Sequence, residues 1–410
     1  MKADLLLFEV GWKMAIVAAD TAWVMISSAL VLLMLPGLAL FYGGLVQRKN
    51  VLSSMMHSFV AMGIMAIEWV VIGYSLAFGT GNWFVGGLEH AFLQGIDPYS
   101  VTGTIPTYAF VVFQGMFAII TPALISGAIV GRVKFKSYIA FIALWGLLVY
   151  APVCHWVWGG GFLTGEALDF AGGTVVHVTS GISSLAILVY LGKRKGYGFD
   201  SLEPHNLTLT LLGAGLLWFG WFGFNAGSAL AANEVAAVAF ITTLVAPAAA
   251  SLAWMAIEWM HAGKPTAIGF ASGILAGLVA ITPAAGFVTP MAAIPIGVIS
   301  GIICYMAVEL KGKLGYDDSL DAFGVHGVGG ITGALLTGVF ASVGATGLLL
   351  GNPQQLMLQL EGVVITIVYA VVCTIIIGFM LQKTIGFKVS VSEENIGLDR
   401  TQHGEIAYNV

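Results

Sequence analysis

Long apolar runs are the feature that most restricts how this chain can fold. A helix needs about 20 mostly apolar residues to cross the hydrocarbon core of a bilayer, and such runs recur along the whole sequence. Strands of a membrane barrel would instead alternate over about ten residues. The 410 residues are 58% hydrophobic and 9% charged, whereas soluble domains are about 25% charged. The sequence therefore predicts an all-α integral membrane protein.

We expect eleven transmembrane helices, each bounded by turn-forming or charged residues. They lie near residues 20–44, 51–78, 107–130, 138–158, 171–192, 206–229, 235–260, 267–284, 290–311, 322–341 and 359–383. Residues 20–383 therefore form the membrane domain. Residues 1–19 precede it as a mixed amphipathic segment that does not resemble a removable signal peptide, and residues 384–410 follow it as a C-terminal tail.

Basic residues predict the orientation of the spans, because cytoplasmic loops are enriched in Lys and Arg. All but Lys2 and Lys13 of the 16 basic residues follow odd-numbered spans, such as Arg48 and Lys49 after the first and Lys383 after the last. The even-numbered connections contain no Lys or Arg. The N-terminus is therefore predicted to lie outside and the C-terminus in the cytoplasm.

Charge and cysteine content exclude other kinds of protein. The formal net charge of −5 argues against a nucleic-acid partner. Cys154, Cys304 and Cys373 lie far apart in apolar runs and form no C-x-x-C motif. Neither a disulfide framework nor a zinc site is predicted from them.

The same kinds of polar residue recur in the fifth and tenth spans. The fifth contains Asp169 and His177 in LDFAGGTVVH, and the tenth contains Asp321 and His326 in DAFGVHGVGG. A repeat of five helices in inverted orientation, about 20–192 and about 206–341, plus one extra helix at about 359–383, accounts for this spacing. The two histidines would then come from equivalent helices and meet near the bilayer midplane.

A histidine on an apolar helix is more often a satisfied packing residue, but an ionisable group inside a bilayer is costly and suggests a function. A metal pair is the competing interpretation. Zinc takes four ligands, or three and a water, and neither His177 nor His326 has Cys or Glu at i+3 or i+4. No metal is predicted. We favour two neutral imidazoles that hydrogen-bond to each other in an apolar pore.

Asp169 and Asp321 stand where the fifth and tenth spans begin, so each is expected to cap the free N–H groups of a helix. For Asp169, at the outer end, a direct role as a cation ligand is the less favoured alternative. Even as a cap, Asp169 would place a carboxylate near the outer mouth of a pore and favour a cation there.

Aromatic residues form a second pattern. Trp158 ends the fourth span in HWVWGGG, and an indole face binds a small cation with about 0.5 to 2 kcal/mol. Trp221, Phe224 and Ser228 recur at i, i+3 and i+7 and share one helix stripe, while Phe117 lies on a stripe of the third span. An interfacial aromatic belt is the alternative.

Together these motifs resemble the ammonium transporter (Amt/Mep) family. LDFAGGTVVH, HWVWGGG, GWFGFNAGS, ANEVAA, PHNLTLT, DAFGVHGVGG and GLDRTQHGEIAYN look like family motifs in the family order, from Pro36 to Asn409. The resemblance implies eleven helices, an outside N-terminus, a homotrimer with one pore per subunit, and a plasma-membrane location. It implies neither an enzymatic activity nor a cofactor.

The resemblance also implies roles for single residues. An outer ammonium site would consist of Phe117, Trp158 and Ser228, with Phe117 and Phe224 as a phenyl gate beneath it, His177 and His326 as the pore histidines, and Asp169 as the acidic residue near the recruitment site. From their positions alone, Asp321 as a second cap and Trp221 on the stripe with Phe224 are expected to support this site. Glu68, within the second span, departs from the family pattern, since an apolar residue would be easier to explain there. We interpret Glu68 as a structural hydrogen-bonding partner, with proton handling as the alternative.

The function that the resemblance implies is ammonium transport, in which NH4+ is recruited, deprotonated and conducted as NH3 with or without the proton. Methylammonium would be a second substrate. An ammonium sensor whose tail couples to a signalling domain absent from this chain is the alternative, and an Rh-type gas channel is a weaker one. Family membership further suggests a PII-class regulatory protein at the cytoplasmic face.

Overall fold

The computed structural model describes residues 16–199 and 202–408, and helices account for most of them. Most of the predicted N-terminal segment, with Lys2 and Lys13, lies outside the described residues, as do Asn409 and Val410. An antiparallel hairpin of two-residue strands, β1 (Val101–Thr102) and β2 (Ile105–Pro106), precedes the third long helix.

The long helices follow the order of the predicted spans. They are α1 (Ala18–Leu45), α2 (Arg48–Phe78), α3 (Thr107–Ile129), α4 (Phe135–Trp158), α5 (Gly173–Leu191), α6 (Leu207–Gly227), α7 (Glu234–Ala262), α8 (Ala267–Ile281), α9 (Pro290–Leu314), α10 (Phe323–Phe340) and α11 (Pro353–Thr384). A short helix, α12 (Val391–Ile396), lies in the tail. Among the described residues, ten helices are long and apolar enough to cross a membrane, and α8 is shorter at 15 residues.

The helix that contains the predicted last span starts six residues before residue 359. α11 begins at Pro353, where proline occupies the first turn and its missing N–H is not needed. The hydropathy pattern did not predict these first turns, because the polar residues Gln355 and Gln359 suggest a loop. The side chain of Gln355 instead donates to the carbonyl of Glu166, and that of Gln359 donates to the carbonyl of Leu168.

Four of the described long helices contain a π-helical turn. The turns are Trp69–Gly73 in α2, Gly146–Tyr150 in α4, Gly173–Val178 in α5 and Phe323–Gly327 in α10. Such turns occur often at functional sites. In α5 and α10 the π-helical turn begins the helix and contains the deep histidine.

Helices α5 and α10 cross at glycines, and this crossing positions the histidines. A Cβ on Gly181 would overlap the backbone nitrogen of Gly327, and a Cβ on Gly330 would come within 3.0 Å of the His177 Cβ. Small residues of this kind let helix backbones approach closely inside a membrane. The close approach therefore brings the first turns of both helices side by side.

One end of the bundle, the basic end, contains the connections that follow α1, α3, α5 and α9 and also the tail. There Asp317 accepts hydrogen bonds from Arg194 Nη2 at 2.6 Å and Nε at 2.9 Å, and its carboxylate lies 3.4 Å from Arg132 Nη1. The tail returns to the same end, where the Ser53 N–H donates to Asp399 at 2.8 Å. These contacts fix the loops and the tail to one another.

Candidate functional site

The deep histidines meet in the middle of the bundle. The Nδ1 atoms of His177 and His326 lie 3.2 Å apart and their rings stack with centroids 5.3 Å apart. Both side chains are buried. Because each ring presents Nδ1 to the other, one must donate and the other accept. Among the described residues, no group of three or more His, Cys, Asp or Glu side chains is arranged to hold a metal ion.

A narrow apolar passage surrounds the histidine pair. Leu38, Ile120, Leu217 and Leu275 line it together with both histidines. Trp221, expected on one stripe with Ser228, lies deeper, where its ring stacks on His177 with centroids 5.4 Å apart. The indole N–H of Trp221 donates to the hydroxyl of Thr282 at 2.9 Å, which fixes the ring against the passage. Thr282 was missed in the sequence because its position beside the passage depends on a tertiary contact.

Two phenyl rings close the passage on the side away from the basic end. Phe117 of α3 and Phe224 of α6 have ring centroids 4.5 Å apart and are fully buried. Phe224 also stacks on His177, with centroids 6.0 Å apart. The two rings therefore separate the histidines from a larger cavity at the opposite end of the bundle.

This larger cavity, which we call the aromatic cavity, has a volume of about 290 Å³ and is lined by Phe78, Phe110, Gln114, Phe117, Val157, Trp158, Thr164, Phe170, Ser228 and Leu230. The structure brings together here all three residues expected at the outer site. The rings of Phe117 and Trp158 meet edge to face, with centroids 5.8 Å apart. The Ser228 hydroxyl donates to the Phe224 carbonyl at 2.8 Å, which leaves its lone pairs free to accept.

Gln114 also lines the aromatic cavity and was missed in the sequence. Its Oε1 is buried and has no hydrogen-bond partner among the described residues. Gln114 precedes Phe117 by three residues, so the two share a face of α3. That spacing was the available signal.

Asp169 lies at the start of α5 and is 7% exposed. Its Oδ1 accepts the N–H groups of Gly172 and Gly173 at 2.8 and 2.6 Å, and its Oδ2 accepts those of Thr174 and Val175 at 2.8 and 3.0 Å. Each carboxylate oxygen therefore receives two backbone bonds, as the capping interpretation expected. The carbonyl of Asp169 accepts the indole N–H of Trp158 at 2.9 Å, so the same residue orients the aromatic cavity.

The expectation that Asp321 caps the tenth span is wrong. Asp318 accepts the N–H groups of Ala322 at 3.1 Å and Phe323 at 2.8 Å, whereas the carboxylate of Asp321 binds Lys311. Burial, with a smaller contribution from Asp321, raises the pKa of Asp318 to about 6. Asp318 precedes His326 by eight residues, as Asp169 precedes His177, and this spacing was the signal that the sequence contained.

A second cavity opens at the basic end and reaches His326. It has a volume of about 140 Å³, and its lining includes Phe41, Tyr42, Leu320 and Asp321. The two cavities thus approach the histidine pair from opposite ends of the bundle. The phenyl pair and the apolar passage separate them.

Glu68 lies apart from these cavities, at the contact between α2 and α4. A Cβ on Gly146 would overlap Glu68 Oε1. Glu68 directly precedes the π-helical turn of α2, and Gly146 is the first residue of the π-helical turn of α4. Glu68 is therefore placed between helices and not on the path through them.

Comparison with known proteins identifies the family. The model of the Ammonium Transporter Family matches residues 22–408. An ammonium transporter of Aquifex aeolicus is 53% identical over 95% of this chain and 93% of its own length, and one of Bacillus subtilis is 50% identical over 95% and 98%. The chain belongs to the ammonium transporter family. As a member it is a multi-pass protein of the plasma membrane.

The fold of the family is known from solved structures. The crystal structure of Saccharomyces cerevisiae Mep2 superimposes on the chain with a TM-score of 0.89 and 37% identity, covering 97% of this chain and 93% of that one. The similarity extends over nearly the full lengths of both proteins. The chain therefore has the all-helical fold of an ammonium transporter.

Proposed function

We propose that this member of the ammonium transporter family recruits NH4+ in the aromatic cavity, removes a proton and conducts NH3 past His177 and His326. The observation that carries the proposal is the histidine pair, 3.2 Å apart inside an apolar passage that lies behind the aromatic cavity. A packing role alone does not explain two polar rings lining such a passage.

The aromatic cavity supplies the contacts that a small cation needs. The faces of Trp158 and Phe117 attract it through cation–π interactions of about 0.5 to 2 kcal/mol. The hydroxyl oxygen of Ser228 and the unpartnered Oε1 of Gln114 accept N–H groups of the ion. These contacts replace part of the hydration shell that ammonium loses on entry.

Selectivity follows from the apolar passage. Ammonium and potassium are alike in size and charge, so an attractive cavity does not separate them. Taking an ion out of water costs several kcal/mol, and the passage beyond Phe117 and Phe224 offers no charge to offset this cost. Ammonium crosses after losing a proton, whereas potassium has none to lose.

The histidine pair then serves as a polar waypoint. One imidazole donates to the other, and the unpartnered Nε2 of His177 is free to bond to ammonia. Neutral imidazoles also accept and pass on protons. The pair is therefore suited to relay the released proton, which would make transport electrogenic.

The proposal includes an orientation of the helices in the membrane. The basic end faces the cytoplasm by the positive-inside rule, and α8, about 22 Å long, completes eleven spans as two inverted repeats of five and one extra helix. Residues 1–19 then lie outside, residues 20–383 form the membrane domain, and residues 384–410 lie in the cytoplasm. A homotrimer and a PII-class regulator at the basic end belong to the same proposal.

Transport by the full chain reconstituted in proteoliposomes tests the proposal. We expect saturable uptake of labelled methylammonium and an ammonium-evoked current, both strongly reduced in His177→Ala. The matched control is His261→Ala, at an exposed histidine near the end of α7, which should transport like wild type. Saturable binding of ammonium without flux would contradict transport and favour the sensor.

A further inference from the structure

His155 belongs to the HWVWGGG motif, but it lines neither of the two cavities nor the apolar passage. It lies in the last turns of α4 and its side chain is buried. Its Nδ1 is 2.9 Å from the carbonyl oxygen of Ala77, and its Nε2 is 2.8 Å from the carbonyl oxygen of Asn82. Both ring nitrogens therefore face acceptors.

The two contacts bear on which nitrogens of the His155 ring carry a hydrogen. A backbone carbonyl only accepts hydrogen bonds, and a neutral imidazole has one N–H and one bare nitrogen. In a neutral ring, one nitrogen lone pair would point at a carbonyl lone pair inside the protein. Only the imidazolium form donates at both positions, so the contacts with Ala77 and Asn82 favour two ring hydrogens on His155.

The two acceptors lie on the segment that forms one wall of the aromatic cavity. Ala77 immediately precedes Phe78, which lines the cavity and packs against Phe110 with ring centroids 5.0 Å apart. Trp158, on the other wall, follows His155 by three residues on the same turn of α4. His155 therefore joins the end of α2 to the part of α4 that positions Trp158.

Neighbouring contacts make the loop after α2 a fixed partner. The Asn82 side chain accepts the N–H groups of Phe84 and Val85, and the indole of Trp156 donates to the Phe84 carbonyl at 2.7 Å. A Cβ on Gly159 would overlap the Ala77 oxygen. The side chains of two consecutive residues of α4, His155 and Trp156, therefore contact carbonyl oxygens of this loop.

The charges near His155 do not supply a direct partner. Among the described residues, no carboxylate oxygen lies within 4.0 Å of its ring. Glu89, an acidic residue of the loop, has a pKa that falls to about 2 because Thr80 donates to it, and the carboxylate of Asp169 accepts backbone N–H groups. Other titratable side chains toward this end of α2 and α4 are Tyr74, Tyr150 and Cys154, and the loop after α2 also contains His90, Asp97 and Tyr99. The direct polar partners of the ring are therefore the two backbone carbonyls.

We propose that His155 is a positioning residue of the ammonium site and acts as a doubly protonated imidazolium that holds the α2 end against α4. It keeps Phe78 and Trp158 at the separation that a small cation needs. The inference rests on the proposed function of the aromatic cavity.

Kinetics of the full chain in proteoliposomes test the positioning role. We expect His155→Ala to raise the KM for methylammonium by about tenfold, because losing one or two hydrogen bonds weakens binding by about that factor. The Vmax should stay within about threefold of wild type. His155→Gln, which donates at one position only, should fall between the two. The control is His90→Gln, since the ring of His90 bonds within its own loop to Gln94. An unchanged KM in folded His155→Ala would overturn the proposal.

The charge state of His155 is measured separately, by the spectrum of its ring nitrogens in wild-type protein. In wild-type protein with 15N-labelled histidine, we expect one buried ring with hydrogen on both nitrogens, and this signal should be absent from His155→Gln. A neutral tautomer at His155 would overturn the imidazolium. If wild type transports nothing, the proposed function fails, while the ring spectrum and calorimetric binding of ammonium to wild type and His155→Ala still decide the role of His155.

Discussion

Asp318 repeats at the start of α10 the arrangement that Asp169 makes at the start of α5. Each carboxylate accepts backbone N–H groups of a first turn, and each stands eight residues before a pore histidine. The first turns of both helices are π-helical and contain those histidines. The two carboxylates therefore fix the height and direction from which His177 and His326 approach each other.

Replacing Asp318 with Asn should destabilise the protein and slow transport. The amide places an NH2 group against one of the two backbone donors, so the cap weakens by about 0.5 to 2 kcal/mol. Thermal unfolding in detergent and the Vmax of methylammonium uptake measure the two effects. Asp321→Asn is the control, because Asp321 binds Lys311 and no N–H group of α10. A larger loss in Asp321→Asn would restore that residue as the cap.

Removing one ring of the phenyl pair should weaken selectivity. Phe224→Ala opens the passage between the aromatic cavity and the histidines to water, which lowers the barrier for a hydrated alkali ion. A barrier lower by about 1.4 kcal/mol corresponds to about tenfold more rubidium efflux from proteoliposomes. Phe222→Ala is the matched control, because Phe222 stacks on Phe240, away from the passage. Selectivity that survives in Phe224→Ala would assign the barrier to another part of the passage.

The loop cluster at the basic end should make stability depend on acid. Burial opposes ionisation of Asp317, but hydrogen bonds from Arg194 and the charge of Arg132 lower its pKa below 3.8. A depressed pKa means that the folded state binds fewer protons, so this stabilisation is present above pH 3.8 and is lost as pH falls below it. The pKa of Asp318 is raised to about 6, so its effect on stability has the opposite sign. The stabilisation linked to the protonated carboxyl is present below pH 3.8 and is lost as pH rises toward 6.

Unfolding midpoints measured from pH 7 downward check this dependence. Asp317→Asn should be less stable than wild type near neutrality and should lose little further stability below pH 3.8. Glu203→Gln, at an exposed carboxylate, should follow the wild-type curve. Parallel curves for wild type and Asp317→Asn would assign the acid sensitivity to other groups.

Glu68→Gln should transport like wild type. Glu68 lies between α2 and α4 against Gly146, outside both cavities, and glutamine keeps its size and hydrogen-bonding capacity. Uptake of methylammonium and the ammonium-evoked current, each measured across pH, separate the two interpretations of this residue. A lost current with retained uptake would show that Glu68 handles the released proton.

The apolar runs predicted the positions of the helices closely, because a bilayer leaves few options for a run of 20 apolar residues. The histidine pair was also predictable, since two ionisable residues five spans apart stand out against an apolar background. The start of α11 and the cap of α10 were not predicted. Gln355, Gln359 and Asp318 are polar groups whose partners come from other segments, and periodicity contains no information about those partners.

The sequence by itself determined that the chain crosses a membrane many times and has the motifs of the ammonium transporter family. Hydropathy and motif order are local properties, so they can be read without a fold. The tertiary structure decided which side chains face one another: Nδ1 of His177 toward Nδ1 of His326, Gln114 into the aromatic cavity, and both nitrogens of His155 onto carbonyls of the α2 end. Those contacts depend on glycines that let helices approach within a side chain's reach, and only packing determines where that occurs.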